Sequence, residues 1–292
     1  YWPSSPMFGW GRSESTTHGD SHYWGVWWGR EPFERYAQKV PRFMSEYGFQ
    51  GLPSETVLRM FNDGQNLPDS AQLLCHQKHP VGYQTINDYM EREGLKPNDL
   101  LEWMDYSQLV QAQGYAHAIE AHRLSSPYCM GTLYWQLNDC WPVVSWSGID
   151  YAGKWKRVQH YVQNLYKPVI AGAYLVDSVV VVKAVSDSIM PILVNISAKV
   201  ADINGNELSL LKQNLILQPN VAVEVGRILL SNEIIARNDV FLKLTIHHDN
   251  ESSFESVYYF TKLPQKAIMG MGMVQRIRAI RSETSKINHK PK

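Results

Sequence analysis

The 292-residue sequence has few cysteines, no long apolar run and no excess of either charge. Its three cysteines, Cys75, Cys129 and Cys140, cannot all pair, and their wide spacing differs from that of dense disulfide frameworks. No apolar stretch approaches the ~18 residues of a membrane span. Basic and acidic residues number 28 each, so no net charge attracts nucleic acid or an anionic membrane. We therefore expect a soluble protein with buried thiols, a neutral substrate, and neither nucleic acid nor membrane as a partner.

A metal motif and a leader sequence are also missing. Cys75, His76 and His79 lie close together, but their spacing does not match a zinc motif and their surroundings are polar. The sequence therefore predicts no metal and no organic cofactor. It begins with Tyr1 and shows no signal-peptide pattern, so we expect the true N-terminus elsewhere. The compartment stays open between periplasm, secreted space and lysosome.

Tryptophan is absent from the last 137 residues, since all ten lie between Trp2 and Trp155. From Ala171 onward, runs of Val, Ile and Leu alternate with turn signals such as Asp202–Asn206. The strand candidates are residues 174–185, 191–200, 208–217, 221–230, 240–247 and 253–261. Short β-branched strands at this spacing predict an antiparallel, immunoglobulin-like β-sandwich, or on another interpretation an interaction module.

The first half mixes helix and strand patterns. Apolar residues at helical spacing predict a helix over residues 101–124, and a shorter one over residues 83–93. The strand candidates are residues 22–28, 42–46 and 130–137. Strands separated by helices favour an α/β architecture with parallel strands, although three strands are too few to close a barrel.

The C-terminal extension, residues 265–292, has seven Lys or Arg and one Glu. A short helical pattern covers residues 273–280. Two interpretations stay open, a solvated extension and an arm that binds a partner.

Three segments place carboxylates or amides beside aromatic residues. Glu46 ends a short apolar strand just before Gly48, the position at which a (β/α)₈ barrel carries catalytic groups, although an ion pair with Arg42 is the alternative.

In the segment upstream, strand alternation puts Asp20, His22 and Trp24 on one face. Sugars present hydroxyls at their edges and C–H groups on their faces, so such pairs suit sugar binding.

The third segment contains Trp135 near a strand end, followed by Asn138 and Asp139 at the start of a loop. It again combines an aromatic surface with polar groups. Trp141 and Trp146 fit either substrate contacts or loop anchoring. For at least one of Trp27 and Trp28, core packing is the expectation.

Together these segments resemble the β-mannosidases of glycoside hydrolase family two. The matching blocks are YWPSSP at residues 1–6, GDSHYWGVWWG at 19–29, PRFMSEYGFQ at 41–50 and YWQLNDCWPVVSWSGIDYAGKWK at 134–156. The resemblance implies the C-terminal portion of a (β/α)₈ TIM barrel over residues 1–168, a β-sandwich over 169–264 and the basic extension. It implies a retaining exo-β-mannosidase acting on terminal β-mannosides, with Glu46 as nucleophile. The residues implied to line or support the sugar site are Asp20, His22, Trp24, Trp135, Asn138 and Asp139.

The sequence departs from the family pattern at the acid/base residue. Members place this Glu after an Asn, well before the nucleophile, whereas only 45 residues precede Glu46. The upstream glutamates, Glu14, Glu31 and Glu34, do not follow an Asn. We therefore expect a fragment that is inactive alone and whose partner is the missing N-terminal part of the same polypeptide. A β-galactosidase, a β-glucuronidase and a noncatalytic carbohydrate-binding protein are the alternatives.

Overall fold

Helices dominate the first part of the chain and strands dominate the second. The computed structural model describes residues 1–248, 251–261 and 273–279. Contacts divide the chain into two units, Tyr1–Tyr166 and Lys167–Lys292. None of the helices in the described ranges is both long and apolar enough to span a membrane. The predicted mixture of helix and sheet is confirmed.

The first unit contains a two-stranded parallel sheet, β1 (Asp20–His22) and β2 (Phe43–Glu46). A 3₁₀ helix covers Ser13–Thr16. The α-helices of this unit are α1 (Arg35–Gln38), α2 (Glu55–Arg59), α3 (Ser70–Cys75), α4 (Gly82–Arg92), α5 (Leu100–Arg123) and α6 (Arg157–Leu165).

Helix α5 forms the long element that helical spacing predicts. The Asp99 side chain accepts hydrogen bonds from the backbone N–H groups of Leu101 and Glu102, which caps the helix start. From Tyr106 to Arg123 almost every side chain is buried. A helix covered on nearly all sides needs apolar or small residues around its circumference, which explains its Ala-rich sequence. The predicted helices over residues 101–124 and 83–93 are confirmed as α5 and α4.

Two strand predictions in this unit are wrong. β1 ends at His22, and the backbone then turns, with the N–H groups of Trp28 and Gly29 both bonded to the Trp24 carbonyl. Residues 130–137 run beside β2 and exchange several backbone hydrogen bonds with it, but they form only an isolated bridge at Thr132. The prediction over residues 42–46 is confirmed as β2.

The second unit contains two sheets. The strands are β3 (Val169–Val176), β4 (Val179–Ser186), β5 (Ile192–Asp202), β6 (Glu207–Leu217), β7 (Val223–Leu229), β8 (Val240–His248), β9 (Glu251–Tyr259), β10 (Val274–Arg276) and β11 (Arg278–Ala279), with α7 at Asn232–Ala236. One sheet has the order β10-β9-β8-β5-β6 and the other β11-β3-β4-β7. Neighbouring strands are antiparallel except where β10 and β11 add in parallel at the edges. Buried and less buried residues alternate along β8, as expected for a strand with one covered face.

Two further predictions in the second unit are corrected. Residues 174–185 are not one strand, because β3 and β4 form a hairpin whose turn includes Asp177 at φ 54°. The helical pattern over residues 273–280 is wrong where the structure describes it, since residues 274–276 and 278–279 are strands. The rest of the predicted extension lies outside the described residues.

Ile196 and Ile216 offer a matched test of burial in this unit. Ile196 on β5 is fully buried opposite Ile246, whereas Ile216 on β6 is 59% exposed. Ile196→Ala should lower the free energy of unfolding by about 2–5 kcal/mol, because it removes apolar contacts and leaves a cavity. Ile216→Ala should change it by about 0.5 kcal/mol or less. Chemical denaturation measures both, and equal losses would contradict the observed packing.

Candidate active site

The site begins with the pairing of β1 and β2. Their parallel pairing has an irregularity between Ser21 and His22, which places His22 opposite Glu46, the last residue of β2. The two side chains meet there, with Nδ1 of His22 2.5 Å from Oε2 of Glu46. Both remain partly exposed, at 25% and 18%. The imidazole therefore holds one carboxylate oxygen of Glu46 in a group that solvent or a ligand can still reach.

Arg42 does not pair with Glu46, contrary to the alternative that strand alternation offers. Its guanidinium lies over the ring of Tyr128, 4.8 Å from the centroid. The partner of Glu46 is thus His22 on the neighbouring strand β1 and not Arg42, which precedes β2.

Asp20 is the second carboxylate at this edge, and three side chains donate hydrogen bonds to it. Ser5 and Ser45 each donate an O–H to Oδ2 at 2.6 Å, and the indole N–H of Trp2 donates to Oδ1 at 3.1 Å. Burial opposes ionisation, but the bonds from Ser45, Ser5 and Trp2 outweigh it and hold the pKa of Asp20 below its ordinary value. Asp20 is an anchored anion.

Ser5 also links Asp20 to His22. Its Oγ lies 3.2 Å from Nε2 of His22, while Nδ1 of the same ring faces Glu46. Hydroxyl and imidazole groups thus connect the two carboxylates, which orients the ring. Sequence reasoning missed Ser5, Ser45 and Trp2 as site residues. The YWPSSP block contains two of them and was the available signal.

Trp135 lies beside the residue that follows Glu46. Its N–H donates to the Tyr47 carbonyl at 2.8 Å, and its own carbonyl accepts from the Tyr115 hydroxyl at 2.6 Å. A Cβ at Gly48 would lie 2.2 Å from the Trp135 carbonyl oxygen, so this close approach requires glycine. The residue is 44% exposed. These contacts fix the Trp135 backbone beside the end of β2.

Asp139 belongs to a separate hydrogen-bonded loop. Its Oδ1 accepts from Nε2 of Gln136 at 3.0 Å, and its Oδ2 accepts from the Ser145 hydroxyl at 2.7 Å. Asn138 is exposed and contributes its carbonyl to Gln136 at 2.8 Å. These hydrogen bonds all lie within residues 136–145.

The remaining tryptophans divide between packing and surface. Trp27 is buried, which confirms the core expectation, and Trp28 is exposed. Trp146 is buried and packs against the ring of Trp24, with ring centroids 6.0 Å apart, and Trp24 follows the end of β1. Trp141 stays exposed.

The three cysteines, His76 and His79 are residues from which a metal site could be built. Only Cys129 is buried, and burial raises its pKa, so the expectation of buried thiols is wrong for Cys75 and Cys140. His76 stacks on Phe61 at 4.1 Å. No group of three His, Cys, Asp or Glu suited to a metal ion occurs in the described parts of the chain.

Lys156 is a buried cation that no sequence pattern distinguishes from its neighbours. It is 1% exposed, and burial lowers its pKa to about 7, against the opposing attraction of Asp139 and Asp150. Its Nζ donates to the carbonyls of Gly51 and Ser145 at 2.9 and 3.2 Å. The ammonium group thus bridges two backbone segments.

Burial of Lys156 predicts a pH dependence of stability. The folded chain releases its proton near pH 7, whereas the unfolded chain retains it up to the ordinary pKa of 10.5. The unfolded state binds more protons within that window, so this group makes the protein more stable as pH rises through it. Lys156→Met should flatten the rise in Tm between about pH 6.5 and about pH 9. Lys154→Met, at an exposed lysine, should retain it, and identical pH profiles would contradict the assignment.

Comparison with known proteins agrees with the resemblance seen in the sequence. No family model matches the chain. β-Mannosidase B of Aspergillus flavus is 32% identical over 181 residues, 59% of this chain and 21% of the relative, and the Aspergillus niger enzyme gives the same values. The chain thus spans about a fifth of the length of these curated relatives.

Solved structures agree. The β-D-mannosidase of Dictyoglomus thermophilum superposes with a TM-score of 0.78 at 26% identity, covering 84% of this chain and 31% of that one. An exo-β-D-glucosaminidase shares the fold, with a TM-score of 0.66 at 13% identity over 79% of this chain and 29% of that one. The chain is therefore similar to β-mannosidases in both sequence and structure.

Proposed function

We propose that the chain is the C-terminal part of a retaining exo-β-mannosidase that removes terminal nonreducing β-D-mannose residues. Residues 1–168 would be the C-terminal portion of a (β/α)₈ catalytic domain, and residues 169–264 an immunoglobulin-like β-sandwich. The similarity to β-mannosidases over a fraction of their length supports this proposal. The observation that carries it is Glu46 at the carboxyl end of a parallel strand, bound by His22, with the Trp135 backbone hydrogen-bonded to the next residue, Tyr47.

Glu46 is the nucleophile in this mechanism. Its carboxylate attacks the anomeric carbon and forms a glycosyl ester, while the glycosidic C–O bond breaks and a carboxylic acid protonates the leaving oxygen. Water then attacks the anomeric carbon and gives a proton to the second carboxylate while the ester bond to Glu46 breaks, so mannose leaves with its β configuration and both carboxyl groups return to their starting states. Such carboxyl groups stand ~5–5.5 Å apart. The acid/base glutamate lies in the part of the enzyme outside this chain.

His22 and Asp20 act on Glu46 and the sugar in different ways. His22 holds Oε2, which turns the other oxygen toward the substrate. Asp20 already accepts three hydrogen bonds, so it is not the group that attacks the anomeric carbon. Its role is to hold Ser5, which contacts the His22 ring. The exposed Trp135 ring supplies an apolar face for the sugar, and Asn138 and Asp139 supply polar groups for hydroxyls. This chemistry uses no metal and no organic cofactor.

Removing the nucleophile gives a diagnostic result in the full-length enzyme. Glu46→Ala should lower kcat by several powers of ten, roughly 10³-fold or more, because bond formation is lost. Azide should restore part of the turnover and yield the inverted α-glycosyl azide. The product is identified by NMR.

Two controls make the assignment specific. Asp20→Ala and Asp139→Ala should lose activity without azide rescue, since neither side chain forms the covalent bond. Trapping the enzyme with a 2-fluoro mannoside should label the peptide that contains Glu46, and a label on any other peptide would overturn the assignment.

The 292-residue chain by itself should hydrolyse no β-mannoside above background, because it lacks the acid. The assay uses an aryl β-mannoside at high enzyme concentration, with Glu46→Ala as the blank. Glu46-dependent turnover would refute this expectation. A full-length protein that binds mannosides without hydrolysing them would instead favour a noncatalytic carbohydrate-binding protein.

A further inference from the structure

We propose that Lys156 is a positioning residue of this active site: its buried ammonium group ties the segment that follows Glu46 to the loop that carries Asp139. The catalytic consequence rests on the proposed function. The tie itself rests on contacts within the first unit.

Lys156 joins two backbone segments at a single point. Its Nζ donates to the carbonyl of Gly51, five residues after Glu46, and to the carbonyl of Ser145. The N–H of Gly51 donates to the same Ser145 carbonyl at 3.2 Å. The lysine therefore reinforces the bridge between these segments, and its loss would leave a buried carbonyl without one of its donors.

The bridge continues from Ser145 to the aromatic face of the site. The Ser145 hydroxyl donates to Oδ2 of Asp139, and the Gln136 amide donates to Oδ1. Gln136 directly follows Trp135, whose N–H is bonded to Tyr47 beside the nucleophile. Both ends of the loop are thus joined to the segment that follows Glu46, one through Trp135 and Tyr47 and the other through Ser145 and Gly51.

A buried lysine needs an explanation, because burial of its charge is unfavourable and only specific partners offset that cost. Full burial of an ammonium group costs free energy that an apolar side chain of equal size would avoid. The anionic groups that attract it are Asp139 and Asp150. Asp150 also fixes the neighbouring segment, since Oδ2 accepts from the Ser54 N–H at 3.0 Å. Packing alone therefore does not account for Lys156.

The catalytic test is a double-mutant cycle in the full-length enzyme. Lys156→Met should lower kcat for an aryl β-mannoside about tenfold or more with a smaller change in KM, at a temperature where the variant remains folded. In an Asp139→Asn background the further loss should be less than about twofold, because the lysine acts through that loop. Lys154→Met, with its amine exposed and bonded to Thr56, is the control and should change neither parameter. Full activity of folded Lys156→Met, or additive losses, would overturn the proposal.

Hydrogen exchange of the 292-residue chain tests the tie without any activity. Lys156→Met should speed amide exchange at Gly51 and across residues 136–147, whereas Lys154→Met should not. Unchanged exchange would overturn the proposal. If Lys156→Met does not fold, Lys156→Gln, which keeps a donor for one carbonyl, replaces it with the same criteria. A full-length wild type without glycosidase activity refutes the proposed function alone, and exchange still decides whether Lys156 forms the tie.

Discussion

The candidate site depends on the parallel register of β1 and β2. This register, together with its irregularity between Ser21 and His22, brings His22 opposite Glu46 and thereby sets the 2.5 Å contact between them. A shift by one residue would turn His22 to the other face of the sheet and leave Glu46 without this partner. The buried Met44 on β2 stabilises the register, because slippage would expose it.

Hydroxyl groups allow two carboxylates to occupy one edge of this small sheet. The negative charges of Asp20 and Glu46 would repel each other if neither carboxylate had a hydrogen-bond donor from the protein. Hydroxyl donors from Ser5 and Ser45 stabilise the charged Asp20 carboxylate, and the His22 ring contacts Glu46 through Nδ1 while its Nε2 lies 4.0 Å from Asp20. The arrangement leaves Glu46 as the carboxylate with an oxygen available for chemistry, which is the distinction a nucleophile requires.

Local patterns predicted more of this protein than contacts between distant segments did. Helix α5 and the position of Glu46 before Gly48 follow from spacing within a few residues, so the sequence indicates both. The contact of His22 with Glu46 joins residues 24 apart and depends on strand register, which no local pattern specifies. Burial of Lys156 also depends on a distant segment, because one of its acceptors, the Gly51 carbonyl, lies 105 residues away in sequence.

The sheet formed by β1 and β2 leaves apolar side chains exposed that further strands would cover. Parallel sheets in proteins are covered on both faces, and two strands alone contribute little stability. Here Phe43, Met130 and Leu133, on and beside β2, remain exposed. Coverage of these side chains by further barrel strands would exclude water from the surroundings of Glu46, and exclusion of water strengthens every electrostatic contact that the carboxylate makes. In the proposed enzyme, the further strands would therefore supply the acid and also change the medium in which Glu46 and His22 act.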